Sequence, residues 1–389
     1  MSEVFMNTYH RLPVVLSRGE GSWVYDINGK KHLDLSSGLA VNCMGHAYPP
    51  LIEAISKQAA KLNHTCNYFM SDVSAEFAAK LVAVCAGAGM KKVFLSNSGG
   101  EANEGAIKLV RKYSLQKYGK GRHTIVTLKG SFHGRTITTL AATGQDVFHQ
   151  HFWPFTEGFT YVEPGDIEAL DKALDPKICA GFMAEPVQCE SGIRPLSQEF
   201  VSAAAKLCKE RDILLIFDEI QSGMGRSGTF LACEGYGVKP DVVTVAKAIT
   251  GGIPSGAFLA GEKAADVLQV GDHGSTFGGN PIAAAAGLVI LDTVTKPEFL
   301  KEIARKGEKM ISIVNSWKHP KVTGVRGKGM MMGVDINCEA WPVLETLVAQ
   351  TPGILLLAAG KQTLRFLPPY IISDEELEQG FEIIRKVLQ

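Results

Sequence analysis

Between roughly residues 90 and 280, short apolar runs alternate with longer amphipathic stretches. The runs fall at 92–96, 124–128, 159–162, 179–184, 213–217, 242–246 and 255–259, each bounded by turn-forming or charged residues. A short apolar run without polar alternation reads as a strand covered on both faces, which is the condition of a parallel sheet. Helical spacing at 101–116 and 199–211 supplies the crossovers. The pattern predicts an α/β fold: a mostly parallel seven-stranded sheet with helices on both faces. The last hundred residues differ. A long amphipathic helix over 298–317 precedes a glycine-broken extended stretch over 322–336, then a helix, two strands and a terminal helix within 341–389. This reads as a smaller α+β domain. Near the start, Trp23-Val24-Tyr25-Asp26-Ile27-Asn28-Gly29 is a hairpin candidate. The expected division is a large domain over 46–283 and a small one made of 1–45 with 284–389.

A chain of 389 residues can bury the core of two such domains. Lysine plus arginine equals aspartate plus glutamate at 40 each, with no basic cluster, which argues against nucleic acid and anionic membranes as partners. No apolar stretch approaches the ~20 residues of a membrane helix. The opening Met1-Ser2-Glu3-Val4-Phe5 lacks a basic segment and an apolar core, so the expected location is cytoplasmic. The eight cysteines form no Cys-x-x-Cys pair, and Cys85 and Cys179 sit in apolar runs as reduced core thiols do. His149 and His151 flank Gln150 without a carboxylate or thiol nearby, so no metal site is expected.

The candidate chemistry lies where strands end, because ligands of open α/β sheets sit outside the carboxyl ends of the strands. Asp218 follows the run Ile213-Leu214-Leu215-Ile216-Phe217, and Lys247 follows Val242-Val243-Thr244-Val245-Ala246. A lysine there, before the permissive Gly251-Gly252, can condense with an aldehyde, and an aspartate can hold a protonated ring nitrogen; pyridoxal phosphate needs both. A surface lysine and a strand-end aspartate of an ordinary α/β domain account for the two segments equally well. Asn97-Ser98-Gly99-Gly100 opens a helix whose free N–H groups suit an anion, with Glu101 and Glu104 opposing; a plain Ser98 or Asn97 cap is the simpler account. Ser131-Phe132-His133-Gly134-Arg135-Thr136 offers an aromatic to stack and an arginine to clamp a carboxylate, or else a packed ring and a solvated cation. Glu185 and Glu190 can act as acid and base or serve the loop that carries them. Ser275-Thr276 in a glycine-rich turn before Pro281 can hold a phosphate. Arg365 in an apolar strand must face a cleft or a carboxylate.

Taken in order, Asn97-Ser98-Gly99, Phe132-His133-Gly134-Arg135-Thr136, Asp218-Glu219-Ile220-Gln221, Ala246-Lys247-Ala248 and Ser275-Thr276-Phe277-Gly278-Gly279-Asn280-Pro281 resemble the class III (subgroup II) pyridoxal-phosphate aminotransferases along nearly the whole chain. The resemblance implies a fold-type I transferase, a homodimer with shared active sites, and pyridoxal 5'-phosphate as cofactor. Asn7-Thr8-Tyr9-His10-Arg11-Leu12-Pro13-Val14 and Gly38-Leu39-Ala40-Val41-Asn42-Cys43-Met44-Gly45-His46 are similar to the branch that acts on N2-acetylornithine with 2-oxoglutarate. Relatives acting on free ornithine usually carry a tyrosine near Gly38; a glycine leaves room for an acylated nitrogen. Other ω-amines remain as alternatives: succinylornithine, succinyl-diaminopimelate, ornithine, 4-aminobutyrate and lysine. The resemblance further implies that Lys247 bonds the cofactor and shuttles the proton, that Asp218 pairs with the ring nitrogen and that Gln221 bonds its phenolic oxygen. Phe132 would stack on the ring, and Ser98, Gly99 and Gly100 would hold the phosphate with Thr276 from the other subunit. Arg135 and Ser275 would contact substrate. Arg365 would take the α-carboxylate of glutamate and pair with Glu190 when the diamine is bound. Three positions depart from the family pattern: Gly100 for threonine or alanine, and Cys189 and Thr250 for glycine. A binding protein without turnover would not need Lys247, Asp218 and Arg365 together, and a nicotinamide enzyme would want an N-terminal Gly-x-Gly-x-x-Gly that is missing here.

Overall fold

The computed structural model describes residues 4–389; Met1, Ser2 and Glu3, part of the N-terminal stretch read above, lie outside it. The large sheet comprises β1 (Met90–Ser96), β2 (Thr124–Leu128), β3 (Phe159–Val162), β4 (Cys179–Ala184), β5 (Leu214–Asp218), β6 (Val242–Ala246) and β7 (Gly256–Gly261). Their spatial order is β1-β7-β6-β5-β4-β2-β3. β7 pairs antiparallel with both β1 and β6, and every other pair in the sheet is parallel. β4, β5, β6 and β7 are buried at every position, as unalternated apolar runs require. All seven expected strands form, with ends displaced by two residues at most.

The helix Gly99–Tyr118 begins at β1, capped by Ser98, whose Oγ accepts from the Glu101 N–H. It crosses the sheet on a face of Ala102, Ala106, Ile107, Leu109 and Val110, all buried. Gly105 permits the approach: a Cβ there would lie 2.2 Å from the Phe258 ring. The helix Gln198–Glu210 covers the other face through Phe200, Val201, Ala204 and Cys208. The helices Pro49–Lys61 and Asp72–Val84, which the sequence reading did not anticipate, pack against Pro281–Val294 beside the large sheet.

Beyond this sheet the chain forms two four-stranded sheets. One pairs Val322–Lys328, Met331–Ile336, Thr363–Phe366 and Leu357–Ala359. The other joins the N-terminal strands Leu16–Glu20, Trp23–Asp26 and Lys31–Asp34 to Gly353–Leu355. The C-terminal region therefore holds three strands after the helix Ala340–Ala349 rather than the expected two. The extra strand finds its partner far away in sequence, with Gly353 opposite His32 and Leu355 opposite Asp34. Immediately after Lys31–Asp34 the chain makes a left-handed turn: φ is 40° at Ser37, 60° at Gly38, 67° at Leu39 and 64° at Ala40. Three of these residues carry a Cβ that disfavours the conformation by about 1–2 kcal/mol each. Asp34 holds the entry, its Oδ1 accepting from the Ser36 N–H, the Ser36 hydroxyl and the Ser37 N–H. The Ser37 hydroxyl donates to the Leu367 carbonyl.

Candidate active site

The carboxyl ends of β5 and β6 open into a cavity of about 620 Å³. Parallel pairing sets Asp218 opposite Thr244, so Asp218 and Lys247 leave neighbouring strands at one edge of the sheet. Ser98, Gly99, Gly100, Phe132, Arg135, Glu190, Asp218, Gln221 and Lys247 all line this cavity. Arg365 stands behind Glu190, its Nη1 2.7 Å from Oε1. Ser275 and Thr276 do not reach it; they line a neighbouring cleft with Asn97, Glu101 and His273. Asn97 connects the two spaces, its Nδ2 donating to Ser275 Oγ at 3.0 Å.

Lys247 begins a tight turn, Lys247–Thr250, with φ at 51°. A lysine at positive φ is disfavoured and persists only where the surroundings over-determine it. Here Thr250 Oγ1 donates to the Ile253 carbonyl and Gly251, at φ +63°, closes the turn. Thr250 thus staples the turn instead of entering the cavity. Burial pushes the Lys247 ammonium below its ordinary pKa, the Glu190 carboxylate works against that shift, and Arg365 reinforces it.

Asp218 is almost wholly buried, at 3% exposure. Its Oδ2 accepts from Asn103 Nδ2 at 2.8 Å and lies 2.8 Å from His133 Nδ1, while Oδ1 accepts from the Ile220 N–H at 3.1 Å. Asn103 also donates to the His133 carbonyl, so helix and loop are locked on one carboxylate. Neither Asn103 nor His133 has a role expected from the sequence alone. Asn103 carried a usable signal, a polar side chain on the buried face of an amphipathic helix.

At the helix N-terminus the first turn leaves the N–H groups of Gly99 and Gly100 open toward the cavity. The two opposing carboxylates are turned aside. Glu101 Oε2 accepts from the Asn97 N–H and side-chain amide, and Glu104 Oε1 accepts from Thr136 Oγ1. A Cβ at Gly99 would lie 2.8 Å from Ile220, whereas at Gly100 its nearest neighbour would be 3.6 Å away. A Cβ at position 100 would therefore meet only ordinary van der Waals contact, so space for a Cβ does not require glycine there.

Glu185 and Glu190 sit in opposite electrostatic surroundings. Glu185 accepts from the Phe132 N–H at 2.9 Å and the Cys189 N–H at 3.3 Å, tying the two cavity loops together. Burial and then the Asp218 charge push its carboxyl well above the ordinary range. Glu190 behaves oppositely. Burial would raise it, but Arg365 and Lys247 outweigh that and hold it below its ordinary value. Arg365 is 3% exposed, and its Nε and Nη1 N–H groups make no well-directed hydrogen bond, so the contact with Glu190 is ionic and leaves donors free. Cys189 points away from the cavity, with Sγ toward the Val187 carbonyl and the Met331 sulfur. Arg135 is exposed at the rim, its guanidinium 4.1 Å from the Phe148 ring centroid and 5.5 Å from that of Phe132.

These residues fit pyridoxal phosphate. Open N–H groups at a helix start suit its phosphate, a fixed buried carboxylate its ring nitrogen, and a strained, desolvated lysine its aldehyde. The Gln221 amide is buried with Oε1 unpartnered. Phe132 forms one wall.

With this geometry the chain belongs to a known family, the class-III aminotransferases, whose profile matches residues 4–388. Its curated relatives include an acetylornithine aminotransferase of Haemophilus ducreyi, 47% identical over 383 residues that cover 98% of this chain and 95% of that one. Another, from Caldanaerobacter subterraneus, is 45% identical over 385 residues, covering 98% and 96%. Among solved structures, the ornithine aminotransferase of Toxoplasma gondii superposes with a TM-score of 0.93 at 31% identity, covering 100% of this chain and 92% of that one. The N-acetylornithine aminotransferase of Stenotrophomonas maltophilia does so at 0.85 and 36%, covering 99% and 97%.

Proposed function

We propose that the protein transfers the δ-amino group of N2-acetyl-L-ornithine to 2-oxoglutarate, giving N-acetyl-L-glutamate 5-semialdehyde and L-glutamate in arginine biosynthesis. The observation that carries this reading is the Glu190–Arg365 ion pair at the cavity holding Lys247. One arginine is masked by a carboxylate and another, Arg135, is open, which suits a donor with one remote carboxylate and an acceptor with two. The likeness to enzymes named for acetylornithine supports the acylated donor.

Pyridoxal phosphate, when bound, supplies an aldehyde to receive the amino group and a ring to take up the electron pair freed at the donor carbon. Lys247 Nζ would hold the cofactor at rest and, once released, would accept the proton leaving the donor's δ-carbon; its depressed pKa suits it to act as that base. Asp218 keeps the ring nitrogen protonated, steadied by Asn103 and His133. Gly99 and Gly100 N–H groups and the Ser98 cap would hold the phosphate, Phe132 would stack on the ring, and Gln221 would bond its phenolic oxygen. Arg135 and Ser275 contact substrate. Arg365 would bind the α-carboxylate of glutamate once Glu190 has swung away.

The same reading makes the protein a homodimer in which Thr276 serves the partner's phosphate. It is supported by the apolar side chains beside that turn, with Tyr68 95%, Met70 88% and Phe277 58% exposed. It divides the chain into 46–283 and 1–45 with 284–389, supported by the pairing of Lys31–Asp34 with Gly353–Leu355. A cytoplasmic setting is supported by eight free thiols. No helix of the described residues is long and apolar enough to cross a membrane. The test is kcat/KM with 2-oxoglutarate for acetylornithine, succinylornithine, succinyl-diaminopimelate, ornithine, 4-aminobutyrate and lysine. Acetylornithine should lead, and a higher value for any other donor would overturn the assignment.

A further inference from the structure

Cross-strand pairing sets Arg326, Gly333 and Arg365 in one row of a four-stranded sheet: Arg326 is opposite Gly333, and Gly333 is opposite Arg365. Paired residues of antiparallel strands project to the same face. The two arginines therefore stand on either side of a position without a side chain. Into that gap fits the loop that carries Glu190. The Gly192 carbonyl lies over Gly333, where a Cβ would come within 2.5 Å of it. Arg326 Nε donates to the same carbonyl at 2.7 Å. Its two Nη groups bind both oxygens of Asp335, which also accepts from Thr363 Oγ1 at 2.6 Å. Gly192 has φ +111°, and a Cβ there would lie 2.7 Å from Arg326 Nη2. Apolar contacts hold the flanks, since Cys189 and Ile193 share a buried cluster with Met331. Cys189, one of the departures from the family pattern, is part of this anchor.

We infer that Arg326 is a positioning residue that clamps the Glu190–Gly192 loop to the strand of Arg365 and so sets how readily the Glu190–Arg365 ion pair opens. The inference rests on the pair acting as the switch proposed above. With the clamp intact, Glu190 stays near Arg365 and the cavity favours a donor with a single remote carboxylate. With it broken, Glu190 leaves more readily and Arg365 is exposed to dicarboxylates. A residue serving the fold alone would alter both half-reactions alike.

The experiment uses the holoenzyme and two variants. Arg326→Met keeps the aliphatic stem and removes the fork. Gly333→Ala lifts the Gly192 carbonyl without changing any charge, which separates the clamp from a field effect of the lost cation. Each is measured for kcat/KM of acetylornithine and of glutamate in separate half-reactions, and for glutarate binding by calorimetry, glutarate being a dicarboxylate without an amino group. The expected result in both variants is a donor-to-glutamate ratio lowered about tenfold, with glutarate bound tighter, the scale of coupling between contacting groups. In a Glu190→Ala background neither variant should move the ratio further. If Glu190→Ala lowers the ratio and the two variants leave it unchanged, or depress both half-reactions equally, the clamp is refuted while the switch stands. If Glu190→Ala itself leaves the ratio unchanged, both fall. Should Arg326→Met not fold, Gly333→Ala decides alone.

Discussion

Replacing Asp218 by asparagine keeps the shape of the site and removes one charge. Oδ2 takes two contacts, from Asn103 and His133, each at 2.8 Å, while Oδ1 takes only the Ile220 N–H at 3.1 Å. The introduced amide should therefore set its oxygen in the Oδ2 position and its nitrogen in the Oδ1 position. That arrangement sacrifices one weak backbone bond and leaves the fold intact, at a cost of about 1 kcal/mol. The chemistry loses more. With Asp218 only 3% exposed, a unit charge acting on a ring cation about 4 Å away at an effective dielectric of about 20 is worth about 4 kcal/mol. Even allowing for partial compensation, Asp218→Asn should lower kcat by about 10²–10³-fold, the range found when a preorganised electrostatic partner is removed. The assay is single-turnover conversion with acetylornithine and with glutamate, alongside thermal unfolding and cofactor content. Both half-reactions should slow while the unfolding midpoint stays nearly constant. A kcat within about fivefold of the parent, with the cofactor bound, would refute the pairing, since fivefold is only about 1 kcal/mol.

Other outcomes follow from neighbouring residues. Borohydride reduction of the holoenzyme should attach the pyridoxyl group to Lys247, and Lys247→Ala should fold without turnover; label on another lysine by mass spectrometry refutes the assignment. Arg365→Ala should impair the glutamate half-reaction far more than the acetylornithine one, while Arg135→Ala should impair both, as separate KM values will reveal. Glu190 has a depressed pKa, so its favourable pairing is complete above the unfolded value near 4.5 and is lost as pH falls through the lower native value. Affinity for an alkane disulfonate, which stays fully ionised at these pH values, should accordingly rise relative to that of a monosulfonate on acidification in that window, and a constant ratio would contradict this. Leu39→Gly, at an exposed position with φ 67°, should raise the thermal midpoint, because the left-handed penalty of about 1–2 kcal/mol exceeds the entropic cost of glycine of about 0.5–1 kcal/mol. A lowered midpoint would show that the Leu39 side chain matters more than its backbone.

The large sheet was legible because its strands are buried on both faces and hence unbroken in apolar character; β2, β3, β4 and β6 fall on the anticipated residues. Their carboxyl ends were legible for the same reason and put Asp218 and Lys247 at strand ends, although only the resemblance to the class III aminotransferases favoured a joint role for the two residues. Gly353–Leu355 was not separable from its neighbour, since three residues carry too little periodicity and its partner lies near the other end of the chain. The contacts behind the reacting groups were equally hidden. Asn103 and His133 meet on Asp218, and Arg326 meets Gly192, only after helix, loops and sheet have been brought together. The glycines at 192 and 333 gave no local sign that one carbonyl would pass between two arginines.

The pairing of Lys31–Asp34 with Gly353–Leu355 also fixes the order in which a nascent chain can finish its site. Lys30 Nζ donates to the Val348 carbonyl across 318 positions. At ribosomal rates of about 5–20 residues per second, the N-terminal hairpin waits roughly 15–60 s for that partner. Throughout that interval the Lys31–Asp34 edge is open to any other strand. The left-handed turn at Ser37 cannot be fixed either, because its hydroxyl awaits the Leu367 carbonyl. Val41, a wall of the cavity, follows that turn directly. The large sheet and its lysine can therefore be complete on the ribosome while the cavity still lacks a side. Loss of the last few dozen residues should leave a chain that is folded around Lys247, open at the cavity and prone to aggregate through its amino-terminal strands.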